Sequence, residues 1–91
     1  MARGFRFGVQ TGPFDDHVAL REIARRVEEL GYDELFSSDH IGAVDPFLPL
    51  MVGAGATTTL RFGPLVINNE FHNPVLLARA AATFDALSGG R

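Results

Sequence analysis

Gly8-Val9-Gln10-Thr11-Gly12 is the stretch on which the fold assignment turns. It continues the β-leaning run Phe5-Arg6-Phe7-Gly8-Val9 into a turn cluster at Thr11-Gly12-Pro13. An open dinucleotide-binding sheet needs a G-x-G-x-x-G turn here, so that backbone can approach a pyrophosphate closely. This turn does not supply it.

Downstream the pattern alternates. From about Asp16 to Leu30, the residues Leu20, Ile23, Ala24, Val27 and Leu30 recur at three- and four-residue spacing. That spacing predicts an amphipathic helix, capped by Asp15 or Asp16 and closed by Gly31. Arg21, Glu22, Arg25, Glu28 and Glu29 read as its solvated face. Leu35-Phe36-Ser37-Ser38 reads as a second strand. Asp45-Pro46 starts a short second helix with Pro49 in its first turn, and Phe47, Leu50, Met51 and Ala54 form its apolar side. Thr59 to Ile67 reads as a third strand, with Pro64 arguing for a bulge. Asn73-Pro74 then opens a third helix over Val75 to Leu87, closed by Gly89-Gly90. Its Ala78, Ala80, Ala81 and Ala82 are expected to let it pack closely on the sheet.

Strand starts near residues 5, 34 and 60 repeat at roughly 28 residues, close to the ~31 per unit of a ~250-residue (β/α)8 barrel. The fold class is therefore α/β. The chain reads as the N-terminal three βα units of a (β/α)8 barrel with parallel strands, residues 1–91 forming one partial barrel domain.

Composition narrows the function. A net charge of −3 with no Lys/Arg cluster argues against nucleic acid as a partner. The absence of cysteine removes disulfides, thiolate metal sites and a cysteine nucleophile. Met1-Ala2-Arg3-Gly4-Phe5 lacks the apolar stretch of a signal peptide, and no window approaches the ~18 apolar residues of a membrane span. No membrane partner and a cytoplasmic location are the expectations.

Sites on parallel βα folds gather where strands end at their C-terminal side. That rule nominates Gln10-Thr11, Ser38-Asp39-His40 and Asn68-Asn69-Glu70. In the Asp39-His40 pair, an imidazole can exchange a proton near neutral pH, while a carboxylate can orient it or accept a ligand donor. The alternative is structural, with Asp39 satisfying loop N–H groups and His40 packing at the rim. A metal site has no second histidine pair after strand 1 to support it, so none is expected. His17 reads as a surface residue, and His72, beside a helix cap, as structural, as does Glu70.

The run Phe5-Arg6-Phe7-Gly8-Val9-Gln10, the passage Glu29-Leu30-Gly31-Tyr32-Asp33 into Ser38-Asp39-His40, and Leu60-Arg61-Phe62-Gly63 to Asn73-Pro74 together resemble the luciferase-like monooxygenase family. The most specific match is Ala81-Ala82-Thr83-Phe84-Asp85-Ala86-Leu87-Ser88-Gly89-Gly90-Arg91, which resembles that family's third-helix signature. The resemblance is closest to the branch using coenzyme F420, with the FMN-using branch as the alternative. It implies hydride transfer between the cofactor and a small organic substrate. It also implies that His40 donates or accepts a proton or holds the substrate, that Asp39 lies against the cofactor, and that Asn68 bonds the ring edge. A non-prolyl cis peptide pressing on one ring face is implied at Leu65-Val66, where Pro64 departs from the family's small polar residue.

The resemblance covers about the first third of the family's barrel. Both edges of a three-stranded parallel sheet are then open, so homo-oligomerisation or pairing with a complementing barrel segment is expected. The contrasting expectation is a truncated fragment or assembly module without catalysis. A metal-dependent barrel hydrolase is a more distant alternative.

Overall fold

The computed structural model describes residues 4–12 and 14–91. Met1, Ala2 and Arg3, with the N-terminal reading resting on them, and Pro13 of the first turn lie outside the described residues. Seven elements follow one another: β1 (Gly8–Gln10), α1 (His17–Glu29), β2 (Glu34–Ser37), α2 (Leu48–Ala56), β3 (Arg61–Pro64), the short 3-10 turn η1 (Asn69–Phe71) and α3 (Pro74–Leu87).

The strands form one parallel sheet in the order β1-β2-β3. Val9 pairs with Leu35 and Leu35 with Phe62 in register. These three residues alternate with neighbours on the opposite face, and they turn toward the helices. There Leu35 joins Phe14, Leu20, Ala24, Val27 and Leu60 in the core, with Val9, Ile23, Val52 and Phe62 packed around it. On the other face Gly8 lies under the Phe36 ring, and a Cβ at Gly8 would run into that ring.

Helix α1 matches its sequence pattern. Asp16 Oδ1 accepts the Val18 and Ala19 N–H groups at 2.8 and 3.1 Å. Gly31 takes the left-handed conformation (φ 88°) that closes the helix. Glu28, however, does not belong to the solvated face. Its carboxylate accepts the N–H groups of Thr58, Thr59 and Leu60, tying the last turn of α1 to the entrance of β3.

Helix α2 starts two residues later than its cap-then-proline signal predicts. Asp45 Oδ1 accepts from the N–H groups of Phe47 and Leu48, both at 2.8 Å, so the capping chemistry is present while the helix proper begins at Leu48. The freed Pro46 carbonyl instead accepts the Ser37 hydroxyl at 2.7 Å. Strand β1 runs to Gln10 rather than Val9, and β2 spans Glu34–Ser37.

The third strand ends at Pro64, three residues short of Ile67. The Leu65 N–H still donates to the Ser37 carbonyl at 2.8 Å, but the Leu65-Val66 peptide is cis and the chain leaves the ladder there. Helix α3 also departs from expectation. Ala78, Ala81 and Ala82 are exposed, and the helix docks through its C-terminal end instead. Phe84 is buried against Phe47 and Phe62, with ring centroids 6.4 and 6.3 Å away. Beyond it, the Arg91 guanidinium donates to the Ala54 carbonyl at 2.9 Å. Among the described residues, no helix is long and apolar enough to cross a membrane.

Candidate functional site at the strand ends

The C-terminal ends of the three strands converge on a small set of polar groups. Gln10 closes β1, and its side-chain amide donates to the Leu65 carbonyl at 2.7 Å and to the Ser37 carbonyl at 3.2 Å. One side chain thus bridges the ends of all three strands. Sequence position nominated Gln10, but nothing in the sequence assigned it this role.

Asp39 lies two residues beyond the end of β2 and is buried. Its Oδ2 accepts two bonds, from the Asn68 N–H at 2.8 Å and from His72 Nε2 at 2.7 Å. Burial pushes the Asp39 carboxyl up. The hydrogen bonds from His72 and Asn68, reinforced by the nearby imidazoles of His72 and His40, outweigh it and hold the group below the ordinary carboxylate range. Asp39 is therefore an anion at neutral pH.

The imidazole bonded to Asp39 is that of His72, not of His40. His40 is exposed beside it, and its backbone carbonyl accepts the Ala43 N–H at 3.1 Å. His72 reaches Asp39 because η1 turns the chain back. Asn68 Oδ1 caps that turn by accepting the Glu70 N–H at 3.1 Å, and the turn closes with the Phe71 N–H donating to the Asn68 carbonyl at 3.1 Å. A partner 33 residues away has no spacing signature, so the sequence alone left His72 a structural loop residue.

Leu65 and Val66 follow Pro64 with 46% and 69% exposure, giving an apolar surface directly upstream of the anionic Asp39 cluster. An apolar bed with polar groups along one edge suits a flat, partly apolar ring carrying polar edge atoms. The Asn68 N–H and side-chain oxygen are both engaged within the protein, with Asp39 and with the Glu70 N–H. A second recess, of about 140 Å³, lies between the loops after β1 and β2 and is lined by Thr11, Phe14, Ser37, Ser38 and Val44 among others. Glu70 is exposed. No group of three or more His, Cys, Asp or Glu side chains is arranged to hold a metal ion among the described residues.

The chain is similar to known proteins along nearly its whole length. It is 33% identical, over all of its residues, to a Mycobacterium tuberculosis protein described as a candidate coenzyme F420-dependent oxidoreductase. It is 30% identical over 94% of its length to the 5,10-methylenetetrahydromethanopterin reductase of Archaeoglobus fulgidus. Its structure superposes on the coenzyme F420-dependent tetrahydromethanopterin reductase of Methanopyrus kandleri with a TM-score of 0.86 at 27% identity, over 94% of this chain and 25% of that one. The chain spans about a quarter of the length of these relatives. Its three βα units are part of a (β/α)8 barrel. The profile of the luciferase-like monooxygenases matches residues 4–91, and the chain belongs to that family.

Proposed function

We propose that these strand ends form one wall of an oxidoreductase site in which a hydride passes between coenzyme F420 and a small organic substrate. The observation that carries this reading is the juxtaposition of the exposed apolar Leu65-Val66 surface with the buried Asp39 anion and the Asn68 segment. Leu65 and Val66 would bed one face of the ring. Asp39 would accept a donor from the ring edge, and Asn68 would line that edge. When bound, the deazaflavin supplies a two-electron hydride donor or acceptor.

His40 serves as the proton-transfer residue. Its imidazole lies next to Asp39 in sequence and is exposed, so a bound substrate could reach it. As hydride reaches an electrophilic substrate carbon, the adjoining heteroatom takes a proton, which an imidazole can donate. The names of the F420-dependent relatives support this branch over the FMN-using one.

Among the described residues no strand lies beyond β1 or β3, although the Phe62 N–H on the β3 edge already donates to the Arg91 carbonyl at 2.9 Å; these edges support assembly with a second copy or a complementing barrel segment, in a soluble cytoplasmic protein. The test is titration of the 91-residue chain with coenzyme F420 and with FMN, following cofactor fluorescence, with His40→Ala alongside. Saturable binding of F420, weakened by His40→Ala, is the expected result. Preference for FMN would move the site to the other branch. Binding of neither would favour a non-catalytic assembly module.

A further inference from the structure

Asp39 is held from both ends of one short loop. The Asn68 N–H enters just before η1 and the His72 ring just after it, and both land on Oδ2. Oδ1 has no donor among the described residues, and no buried side-chain oxygen or nitrogen among them is left without a partner. Oδ1 is therefore the oxygen with room for a donor from outside the protein.

A buried carboxylate with one backbone donor is poorly compensated, and a second donor both stabilises the anion and fixes its rotation. The ring supplying that donor is itself half-buried, with its side chain 21% exposed. The bond must be made by Nε2–H, because a carboxylate anion only accepts. His72 thus does two things at once. It sets which Asp39 oxygen stays free, and it pins the 68–72 segment, just downstream of Leu65-Val66, onto the end of β2.

We infer that His72 is a positioning residue of this site, holding Asp39 with Oδ2 engaged and Oδ1 presented to a ligand donor. The inference rests on the proposed cofactor site for its functional consequence, but the positioning itself is measurable without any ligand.

The experiment combines two readouts on the 91-residue chain. In the first, proton NMR of the ring N–H groups is recorded for the wild type and for Asp39→Ala. An exposed imidazole N–H exchanges with water too fast to observe. A His72 Nε2–H resonance visible in the wild type and lost in Asp39→Ala is the expected result, and its absence from the wild type overturns the inference whatever else is found. In the second, coenzyme F420 is titrated into wild type, His72→Phe and His72→Gln, with circular dichroism confirming the fold of each.

Phe keeps the ring and removes the donor, whereas Gln keeps a donor of similar reach. A hydrogen bond to a charged group corresponds to about tenfold or more in affinity. His72→Phe is therefore expected to bind about tenfold more weakly, with His72→Gln close to wild type. Equal binding by all three overturns the inference. If the wild type binds no F420, the cofactor reading fails for this chain and the ring-proton readout alone decides for or against His72. The same readout decides if His72→Phe does not fold.

Discussion

Glu28 Oε2, on the last turn of α1, lies 2.8 Å from the Leu60 nitrogen at the entrance of β3. The same carboxylate takes the N–H groups of Thr58 and Thr59 at 3.1 and 2.9 Å, so one side chain satisfies three consecutive backbone donors where the chain enters the sheet. Leu60 is buried, and its N–H has no water to turn to when the carboxylate is removed. Glu28→Ala is expected to destabilise the fold by about 2 kcal/mol, the cost of leaving such donors unpaired. In a domain of this size each kcal/mol lowers Tm by about 4–8 °C. Thermal unfolding of the two proteins checks this, and a loss of less than about 2 °C would show that the bonds are replaced by solvent.

Acid should weaken the fold through the same groups. Burial pushes the Glu28 carboxyl up, but the N–H groups of Thr59, Leu60 and Thr58 outweigh it and hold it below the ordinary glutamate value. Asp39 is likewise held low. A carboxyl whose folded pKa is depressed contributes stability that is fully present above its unfolded value and is lost as pH falls through the folded one. The window therefore opens below about pH 4. Urea denaturation is expected to give a midpoint that is level from pH 7 to about pH 5 with respect to these carboxyls and falls below about pH 4. Glu28→Gln should show a shallower fall, and an identical one would remove Glu28 from the account.

Two glycines of α2 should respond to alanine with opposite sign. Replacing Gly by Ala within a helix gains roughly 0.8–1 kcal/mol from propensity. At Gly55 nothing lies within 4 Å of an added Cβ, so Gly55→Ala is expected to keep that gain. At Gly53 the Cβ would meet Phe62 Cε1 at 2.9 Å and the Ala24 Cβ at 3.4 Å, where α2 crosses α1 and the sheet. Overpacking of a tight site costs about 1–3 kcal/mol and exceeds the propensity gain. Gly53→Ala should lower the urea midpoint and Gly55→Ala raise it. A rise in both would mean that Phe62 yields to the methyl group.

The division between what the sequence disclosed and what it did not follows the range of the interactions. Asp16 and Asn73 cap α1 and α3 through bonds to residues two or three positions on, so local spacing reveals them. The core face of α1 was legible at Leu20, Ala24 and Val27, because its period is that of the helix itself. Glu28 looked identical to Glu29 in the pattern, and only the fold places it against residues 58–60. The small residues of α3 suggested close packing, but the contact surface is at Phe84, a position that propensity does not distinguish. At the site, Asp39 was legible from its place after β2. Its link to His72 depends on η1, a three-residue turn with no periodic signal.

Gln10 offers the sharpest test of how the strand ends are held together. Its amide nitrogen sits between two carbonyl oxygens, those of Leu65 at 2.7 Å and Ser37 at 3.2 Å, and donates to both. Gln10→Met keeps the length of the side chain and removes the donor, at about 0.5–1.5 kcal/mol for a bond of this kind. Gln10→Glu replaces the donor by an anion facing two acceptors, so at neutral pH it should be the less stable of the two. The order should reverse in acid. Once protonated, the glutamate carries one O–H that can donate to the Leu65 carbonyl, which methionine cannot do. Urea denaturation of both variants at pH 7 and near pH 4 reads this crossing directly. With no crossing, the Gln10 amide would contribute shape rather than hydrogen bonds. With one, the Leu65 carbonyl next to the apolar Leu65-Val66 surface is held from β1, and Gln10→Met should also weaken F420 binding in the titration proposed for the site.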